Sequence, residues 1–382
     1  MISRIKILLN MYRTTFHKRD KSLWIFGAWL GSKFADNSKY LFLKAINEGI
    51  NAVWITKNLD VYRELKGKNL PVEMHNSEKG IELQKKAGCA IYCVGPYDFD
   101  EQYLGGCIMI YLDHGIAMKK IFYDDTVTNK QPVLLRKIKD KILRGPCFHK
   151  NYKVSTSSKL TPIYERAYGI KHSHIIESGN PRNDIFFTDE FKEESDFSFL
   201  SNKKIISYLP THRREGNICI DINSILDLES INKICEANNY LFVVKKHFYH
   251  KYEKTNLSKY NNIVDITQKE IDTQELLKHT DVLITDYSSV YIDYLLLDRP
   301  IVFYNYDIDD YKMNDREMYF DYDTVTPGPK VQKKDEFTRI INELCMGTGD
   351  RYAQERLKCV ELFFDGKKQV CSKELIETIK GL

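Results

Sequence analysis

The sequence predicts an α/β protein made of two Rossmann-like domains, and three observations support this fold class. Short apolar runs alternate with helix-like segments in the N-terminal half of the 382-residue chain, a pattern typical of a parallel sheet covered on both faces. The same alternation returns in the C-terminal half. Between the halves, residues 189–201 are polar and lack clear periodicity, so we interpret them as an interdomain linker. Two such domains predict the GT-B arrangement, in which the domains face a cleft and ligands bind at the interface.

In the first half, apolar runs of strand length predict buried strands at residues 23–27, 52–56, 90–94 and 107–112. Helix-like segments between them predict helices at residues 38–48 and 78–87.

The second half repeats this order. We predict strands at residues 204–209 and 241–245, with helices at residues 224–238 and 273–279. The segment 283–304 then predicts a βαβ unit: a strand at 281–285, a polar turn at 286–289, a helix at 290–297 and a strand at 300–304.

The polar turn of this βαβ unit is a candidate phosphate site. Ser288 and Ser289 stand where the helix begins, and either serine is a suitable N-cap. The free N–H groups of a helix start also suit a phosphate. The alternative is that Asp286 and the serines only cap the helix.

Composition narrows the class of protein. A hydrophobic content of 43% is ordinary for a globular protein, and there is no apolar run of 18 or more residues that predicts a transmembrane helix. The N-terminus does not read as a signal peptide. Nine cysteines without metal-binding spacing favour reduced thiols in the cytosol. The net charge of +4 predicts no nucleic-acid partner.

Two basic amphipathic segments stand out, residues 1–21 and 131–150. In the first, Ile5, Leu8, Tyr12 and Phe16 fall near one helical face among basic residues. In the second, one face carries Leu134, Leu135, Ile138 and Ile142, and beside it lie Arg136, Lys137, Lys139, Lys141 and Arg144. Such helices bind anionic membrane surfaces, and the alternative is two docked helices with solvated basic faces.

The chain carries no Walker loop, no GxGxxG fingerprint and no HExxH motif. Acidic strings at residues 307–310 and 321–323 leave a divalent cation possible. We nevertheless predict no tightly bound metal or cofactor.

Seven motifs, in order, resemble the CDP-glycerol glycerophosphotransferases of teichoic acid and capsule synthesis. They are WIFGAWLGSKFADN (residues 24–37), DHGIAMKK (113–120), GNPRND (179–184), LPTHR (209–213), VKKH (244–247), the segment 322–329 that ends in Pro-Gly-Pro, and DGK (365–367). This chain has Asp113 where the family often has tryptophan, and Phe248 where it usually has proline.

The resemblance implies the GT-B fold and assigns tasks to the domains. Residues 1–188 are expected to form the acceptor and membrane-side domain, and residues 202–350 the CDP-donor domain. Helices in residues 351–382 are expected to cross back to the first domain.

The implied reaction transfers a polyol phosphate from its CDP donor to an acceptor hydroxyl and releases CMP. The hydroxyl must lose a proton, and histidine is the usual base near neutral pH. His114, followed by Gly115 and Lys119, is the expected base, and His247 is expected to bind phosphate or assist the leaving group.

The remaining candidates divide by domain. Donor contacts are expected from Lys245, Thr211, Arg213, Asp286, Ser288, Ser289 and Asp293. Acceptor-side contacts are expected from Asp36, Asn37, Gly115 and Lys119, although Asp36 and Asn37 also suit a helix cap. Arg182 either binds a ligand or pairs with Asp184 as a structural bridge.

The expected function is therefore transfer of glycerol phosphate from CDP-glycerol to a lipid-linked or glycan acceptor, at the cytoplasmic face of the membrane. The alternatives are a CDP-ribitol transferase, a GT-B glycosyltransferase that uses a nucleotide sugar, and a non-enzymatic binding subunit. The 382-residue length favours an enzyme that adds one or a few units.

Overall fold

The computed structural model describes residues 2–143, 151–200, 202–211, 221–246, 257–309 and 317–382. These residues form two compact units. The first contains residues 1–116, 120–191 and 362–382, and the second contains residues 117–119 and 192–361. The last 21 residues thus belong to the first unit. His247 and Arg213, two candidates from the sequence, lie outside the described residues, as do residues 144–150 of the second basic segment.

The first unit contains a seven-stranded parallel sheet in the order β3-β2-β1-β4-β5-β6-β7. Its strands are β1 (Asp20–Gly27), β2 (Asn51–Thr56), β3 (Val72–Met74), β4 (Ala87–Tyr92), β5 (Ile108–Tyr111), β6 (Asn151–Ser155) and β7 (Ile175–Glu177). All six residues of β4 are buried, as expected of a strand with both faces covered. The sequence predicted four of these strands and missed β3, β6 and β7. β3 and β7 have only three residues each, and β6 carries Asn151, Lys153 and Ser155 in place of a continuous apolar run.

The first unit also contains helices, and buried side chains from several of them pack against this sheet. The helices are α1 (Ile2–Thr14), α2 (Asp36–Asn47), α3 (Leu59–Gly67), α4 (Glu78–Lys86), α5 (Val133–Leu143) and α6 (Thr161–Tyr168). Side-chain caps start two of them, since Asn58 accepts a hydrogen bond from the Asp60 N–H and Ser77 accepts one from the Gly80 N–H.

The second unit contains a six-stranded parallel sheet in the order β10-β9-β8-β11-β12-β13. Its strands are β8 (Lys204–Tyr208), β9 (Tyr240–Val244), β10 (Ile263–Asp265), β11 (Val282–Thr285), β12 (Ile301–Tyr304) and β13 (Lys330–Val331). All residues of β9, β11 and β12 are buried, and their side chains build the core of this unit.

The described helices of the second unit include some that were not predicted, and two of the predicted helices have different bounds. The described helices are α7 (Ile222–Ile225), α8 (Leu228–Asn238), α9 (Thr273–His279), α10 (Val290–Tyr294), α11 (Tyr322–Val325) and α12 (Lys334–Cys345). The helix predicted at 224–238 is split, because Asp227 caps a new helix start by accepting from the Ser230 N–H. The helix predicted at 290–297 ends at Tyr294 and continues as a 3-10 turn to Leu297.

Two further helices close the chain, α13 (Ala353–Phe364) and α14 (Ser372–Lys380). The division between the units falls within α13. Leu375, Ile376 and Ile379 of α14 belong to the same buried core cluster as Trp24 and Trp54. The C-terminal helix is therefore an integral part of the first unit.

The segment interpreted as a linker makes contacts within each of the two units. Phe191 is buried and its ring lies 5.2 Å from the ring of Tyr40 in the first unit. In the second unit, Glu193 Oε2 lies 2.7 Å from His279 Nε2. Glu275 accepts hydrogen bonds from the N–H groups of Glu194 and Ser195.

The two basic amphipathic segments form α1 and α5, and each carries exposed apolar side chains. The exposed apolar stripe consists of Ile5, Leu9 and Tyr12 on α1 and Phe16 just after it. The prediction that Leu8 belongs to it is wrong, because Leu8 packs against the buried cluster around Met11. On α5, the side chains of Leu134, Leu135, Ile138 and Ile142 are all at least half exposed.

Arg136 is the exception among the basic residues of α5. It is only 5% exposed, and it donates hydrogen bonds to the carbonyls of Phe122, Tyr123 and Asp125. The guanidinium thus fixes α5 to the preceding loop and does not stand beside the exposed apolar face. Among the described residues, no helix combines the length and the apolarity needed to cross a membrane.

Candidate active site

His114 stands in a loop that follows β5. The preceding residue, Asp113, has a left-handed backbone conformation with φ of 67°, which turns the chain sharply at the strand end. The His114 side chain is 47% exposed. Its Nδ1 lies 3.3 Å from the Cys93 carbonyl oxygen and 3.2 Å from Asp113 Oδ1. The ring also meets the ring of Trp29 edge-on, with centroids 5.6 Å apart.

Three separate motifs hold the backbone around His114. Arg182 Nη1 donates to the His114 carbonyl at 2.8 Å and to Asp36 Oδ1 at 2.7 Å. Asn37 Nδ2 donates to the Asp113 carbonyl at 2.9 Å, and Asn37 Oδ1 accepts from the Arg182 N–H at 3.2 Å. We call these five residues the His114 cluster. The structure therefore brings together the Asp-Asn turn, the Asp-His-Gly loop and the Gly-Asn-Pro-Arg-Asn-Asp motif.

Asp36 and Asn37 do not act as the predicted cap of a helix that begins at Ser38. The helix starts at Asp36, and the residue at its N-cap is Ala35. Asn37 is fully buried, and its amide is directed at Asp113 and Asn180. The sequence allowed both a cap and a site role, and the hydrogen bonds place both side chains in the His114 cluster.

The bridge considered between Arg182 and Asp184 is replaced by two separate contacts. Arg182 pairs with Asp36, whereas Asp184 accepts hydrogen bonds from the N–H groups of Cys371 at 2.8 Å and Ser372 at 3.0 Å. Asp184 thus caps α14 from a distant part of the chain. Burial raises the pKa of its carboxyl, and the hydrogen bonds from Ser372 and Cys371 oppose that shift.

The Asp-Gly-Lys signature near the C-terminus has a structural role of the same kind. Asp365 has φ of 50°, and its carboxylate accepts hydrogen bonds from the Ser158 N–H and from the hydroxyls of Ser157 and Ser158. These contacts fasten the end of α13 to the loop after β6.

A buried ion pair lies directly behind His114. Lys153 of β6 is 3% exposed, and its ammonium is 3.5 Å from Asp113 Oδ2. The Tyr168 hydroxyl donates to the same oxygen at 3.0 Å. Burial alone raises the pKa of Asp113, but Lys153, His114 and the hydrogen bonds outweigh it and hold that pKa below its usual value. Burial lowers the pKa of Lys153, and Asp113 opposes this change. The sequence analysis did not identify Lys153 as a site residue. The feature that could have indicated it is a lysine inside the short strand β6.

The remaining acceptor-side candidates fall on either side of the division between units. Gly115 follows His114 in the first unit, whereas Lys119 belongs to the second. There, the backbone of Lys119 forms an isolated antiparallel bridge with Met318, and the Tyr319 N–H donates to the Met118 carbonyl.

In the second unit, the polar turn after β11 is organised by Asp286. This residue is fully buried, and its Oδ1 accepts from the Thr211 N–H at 2.9 Å, the Thr211 hydroxyl at 2.6 Å and the Tyr287 N–H at 2.6 Å. The turns after β8 and β11 are therefore joined, and Thr211 is held at the same sheet edge as Ser288 and Ser289. We call Thr211, Asp286, Ser288 and Ser289 the Asp286 turn.

The two serines of the Asp286 turn are half-buried. Ser288 Oγ accepts a weak hydrogen bond of 3.3 Å from the Val290 N–H. Ser289 occupies the N-cap position of α10, but its side chain makes no capping hydrogen bond. Simple capping therefore accounts poorly for the pair.

The other donor-side candidates engage protein groups. Lys245 follows β9, and its ammonium donates to the Ile271 carbonyl at 2.7 Å and to Thr273 Oγ1 at 3.0 Å. Asp293 is only 2% exposed and accepts from Gln274 Nε2 at 3.1 Å. Asp293 is thus tied to α9, within the core of the unit.

Within the part of the chain that the structure describes, no group of three or more histidine, cysteine or acidic side chains has metal-binding geometry. In the acidic string at residues 321–323, Asp321 caps α11 by accepting from the Thr324 N–H.

These features define the fold class of the protein. Two α/β units with parallel sheets, each with polar loops at strand ends, are the GT-B fold class predicted from the sequence. A solved structure of the wall teichoic acid polymerase TagF superposes with a TM-score of 0.76 and 21% identity, over 100% of this chain and 98% of that one.

The family model described as CDP-Glycerol:Poly(glycerophosphate) glycerophosphotransferase matches residues 10–381, and the chain belongs to this family. The resemblance found in the motifs is thereby confirmed. Two curated relatives come from Bacillus spizizenii. A teichoic acid poly(ribitol-phosphate) polymerase is 32% identical over 242 residues, which are 60% of this chain and 38% of the relative. A teichoic acid poly(glycerol phosphate) polymerase is 31% identical over 281 residues, 70% of this chain and 68% of the relative.

Proposed function

We propose that this protein transfers glycerol phosphate from CDP-glycerol to a hydroxyl of a lipid-linked or glycan acceptor and releases CMP. The observation that carries the proposal is the family match over residues 10–381, which includes the intact His114 cluster. A folded histidine loop held by Asn37 and Arg182 is more than a binding surface requires.

In this mechanism His114 is the general base. Its Nδ1 faces the Cys93 carbonyl, which can only accept a hydrogen bond, so Nδ1 carries the proton in the neutral ring. Nε2 then has the free lone pair that takes the proton of the acceptor hydroxyl. The hydroxyl oxygen forms a bond to the phosphorus next to glycerol, the bond from that phosphorus to the bridging oxygen breaks, and CMP leaves with the electron pair.

The second unit is proposed to bind the donor. Ser288, Ser289 and Thr211 offer hydroxyls at one sheet edge, and Lys245, Arg213 and His247 supply positive charge for the pyrophosphate. Asp286 acts by holding Thr211, because its Oδ1 is already engaged by three donors. Asp293 acts through Gln274 in the same indirect way.

The acceptor is proposed to reach His114 from the first unit. Asp36 and Asn37 shape the backbone around the base, and Gly115, which follows it, carries no side chain. No tightly bound metal is part of this proposal.

A CDP-ribitol donor is the alternative substrate, favoured by the 32% identity to a relative named for poly(ribitol-phosphate). The two polyols differ by two carbons and two hydroxyls, so a few contacts in the donor pocket decide between them.

We further propose that the protein works at the cytoplasmic face of the membrane, which it binds through α1 and α5. The exposed apolar side chains of α1 lie among lysines and arginines, and those of α5 lie beside Lys137, Lys139 and Lys141. Apolar side chains that insert between lipids, next to basic side chains that meet anionic head groups, are the chemistry of an interfacial helix.

The test of the main proposal is CMP release from CDP-glycerol and CDP-ribitol, run beside CMP- and UDP-sugars with membrane or glycan acceptors. Release from CDP-glycerol alone supports the proposal, and release from CDP-ribitol alone selects the alternative. Release only from a sugar nucleotide would overturn both and indicate a glycosyltransferase.

A further inference from the structure

Lys153 is an unusual residue for the interior of a sheet. It is 3% exposed, and its ammonium lies over the rings of Tyr164 at 4.4 Å, Tyr111 at 5.2 Å and Tyr168 at 5.9 Å. A buried lysine is retained at a cost in desolvation, which aromatic faces and an acidic partner reduce. Its acidic partner is Asp113, the residue next to the proposed base.

The two oxygens of Asp113 contact different groups, and the Tyr111 hydroxyl donates to Oδ1 at 3.3 Å. Oδ2 meets Lys153 at 3.5 Å and the Tyr168 hydroxyl at 3.0 Å. Oδ1 accepts from the His114 N–H at 2.8 Å and lies 3.2 Å from His114 Nδ1. One carboxylate therefore connects a buried cation to the imidazole.

We propose that Lys153 is a positioning residue for the reaction: it balances the charge of Asp113, so that this carboxylate orients the His114 ring without favouring the protonated imidazolium. The proposal rests on the assignment of His114 as the base. A carboxylate without a counter-ion at this distance would stabilise the protonated His114 ring. A protonated ring cannot take the proton from the hydroxyl of the acceptor substrate. The Asp113–Lys153 pair is neutral overall, so it supplies the geometry of the carboxylate with little net charge.

Other groups around the pair leave this balance intact. Tyr111 and Tyr168 are neutral, because burial raises the pKa of both phenols well above 10.0. Arg182, on the His114 carbonyl, has its own counter-ion in Asp36.

Asp98 lies behind Cys93, where its carboxylate accepts hydrogen bonds from the N–H groups of Cys93, Val94 and Leu30, and burial raises its pKa. Burial also raises the pKa of the Cys93 thiol, which is therefore neutral.

The test measures how kcat/KM depends on pH in three variants: Lys153→Met, Asp113→Asn and the double variant. Lys153→Met leaves an unbalanced carboxylate, so the acidic limb of the kcat/KM profile should move up by about one pH unit. Asp113→Asn leaves an unbalanced ammonium, so the limb should move down by a similar amount. The double variant should return the limb close to its original position while kcat stays low, because the orienting carboxylate is lost. The proposal is overturned if all three variants lose activity while the acidic limbs of the two single variants do not move in opposite directions.

A second readout does not depend on turnover. Titration of the His114 ring in histidine-labelled protein, assigned with His114→Gln, should show the same opposite displacements of its midpoint by NMR. If the displacements occur in a protein that releases no CMP from any donor, the proposed function fails and the charge coupling stands. If CMP is released but the midpoints do not move, the role of Lys153 is refuted. If Lys153→Met does not fold, the Asp113→Asn variant alone tests the proposal. An unchanged titration midpoint of His114 in that variant would contradict the coupling of His114 to the Asp113–Lys153 pair.

Discussion

Arg182 Nη1 lies 2.7 Å from Asp36 Oδ1 and donates from the same nitrogen to the carbonyl of His114. Both side chains of this ion pair are at most a tenth exposed. Arg182, from the segment after β7, therefore joins the start of α2 to the loop after β5, and it fixes the backbone that presents the proposed base.

Replacing Arg182 by methionine should lower the free energy of unfolding by about 3–5 kcal/mol, because it leaves the Asp36 carboxylate buried without its cation. Urea denaturation measures this change. The double variant Asp36→Asn with Arg182→Met should recover part of the loss, since no unpaired charge then remains. Equal losses in the single and double variants would argue against an energetic role for the ion pair.

The variant His114→Gln should lower kcat by about 10²–10⁴-fold, because glutamine keeps a polar side chain of similar reach but cannot accept the proton. The apparent affinity for the CDP donor should change little. His172→Gln is a matched control, because His172 has a side chain that is 75% exposed and takes no part in the proposed site. Near-normal turnover in His114→Gln would exclude His114 as the base.

Removing both hydroxyls in Ser288→Ala with Ser289→Ala should raise KM for the donor by about 10–100-fold, since hydrogen bonds to a charged phosphate contribute about 1.5–3 kcal/mol. The rate at saturating donor should fall less. Ser224→Ala removes an exposed hydroxyl elsewhere in the second unit and serves as the control. An unchanged KM in the double variant would place the donor phosphates elsewhere.

Asp184→Ala should destabilise the protein by about 1–3 kcal/mol, because the N–H groups of Cys371 and Ser372 lose their acceptor. Asp184→Asn should cost much less, since asparagine still accepts a hydrogen bond at a helix start.

The pH dependence of that comparison has a definite sign. Burial raises the folded-state pKa of Asp184 above that of the unfolded chain, so the folded protein binds more protons in the interval between the two values. The stability of the wild-type protein relative to Asp184→Asn should therefore fall as the pH rises through the folded-state pKa. Urea denaturation at several pH values measures the difference, and a rise over that interval would contradict the assignment.

Leu134→Ser with Ile138→Ser on α5 should weaken binding to anionic phosphatidylglycerol vesicles by about tenfold or more, because two exposed apolar side chains are lost without any change in charge. Vesicle sedimentation at low salt measures the partitioning. Leu59→Ser, at an exposed leucine of α3, is the control. Retained binding in the double serine variant would show that the apolar face of α5 does not enter the lipid.

Strand positions were predictable where the strands are buried on both faces. Such strands are continuous apolar runs, so the segment predicted at 52–56 appears as Asn51–Thr56 and that at 241–245 as Tyr240–Val244. Short edge strands such as β13, with two residues, carry no such signal. The amphipathic pattern of α1 was visible too, but its exposed apolar face was predicted with Leu8 in place of Leu9, because only the packing around Met11 decides which of the two is covered.

The sequence by itself determined the fold class, the family and the chemical types at the site, because these depend on local patterns and on motifs in a fixed order. The partners of those residues depended on tertiary structure. Nearness in the chain suggested Arg182 with Asp184, but the sheet places Arg182 against Asp36 and Asp184 against Ser372. Lys153 and Asp113 are 40 positions apart, and they meet because β5 and β6 are neighbours in the sheet. Ion pairs and hydrogen bonds form between atoms that are close in space, and the order of parallel strands decides which loops share an edge.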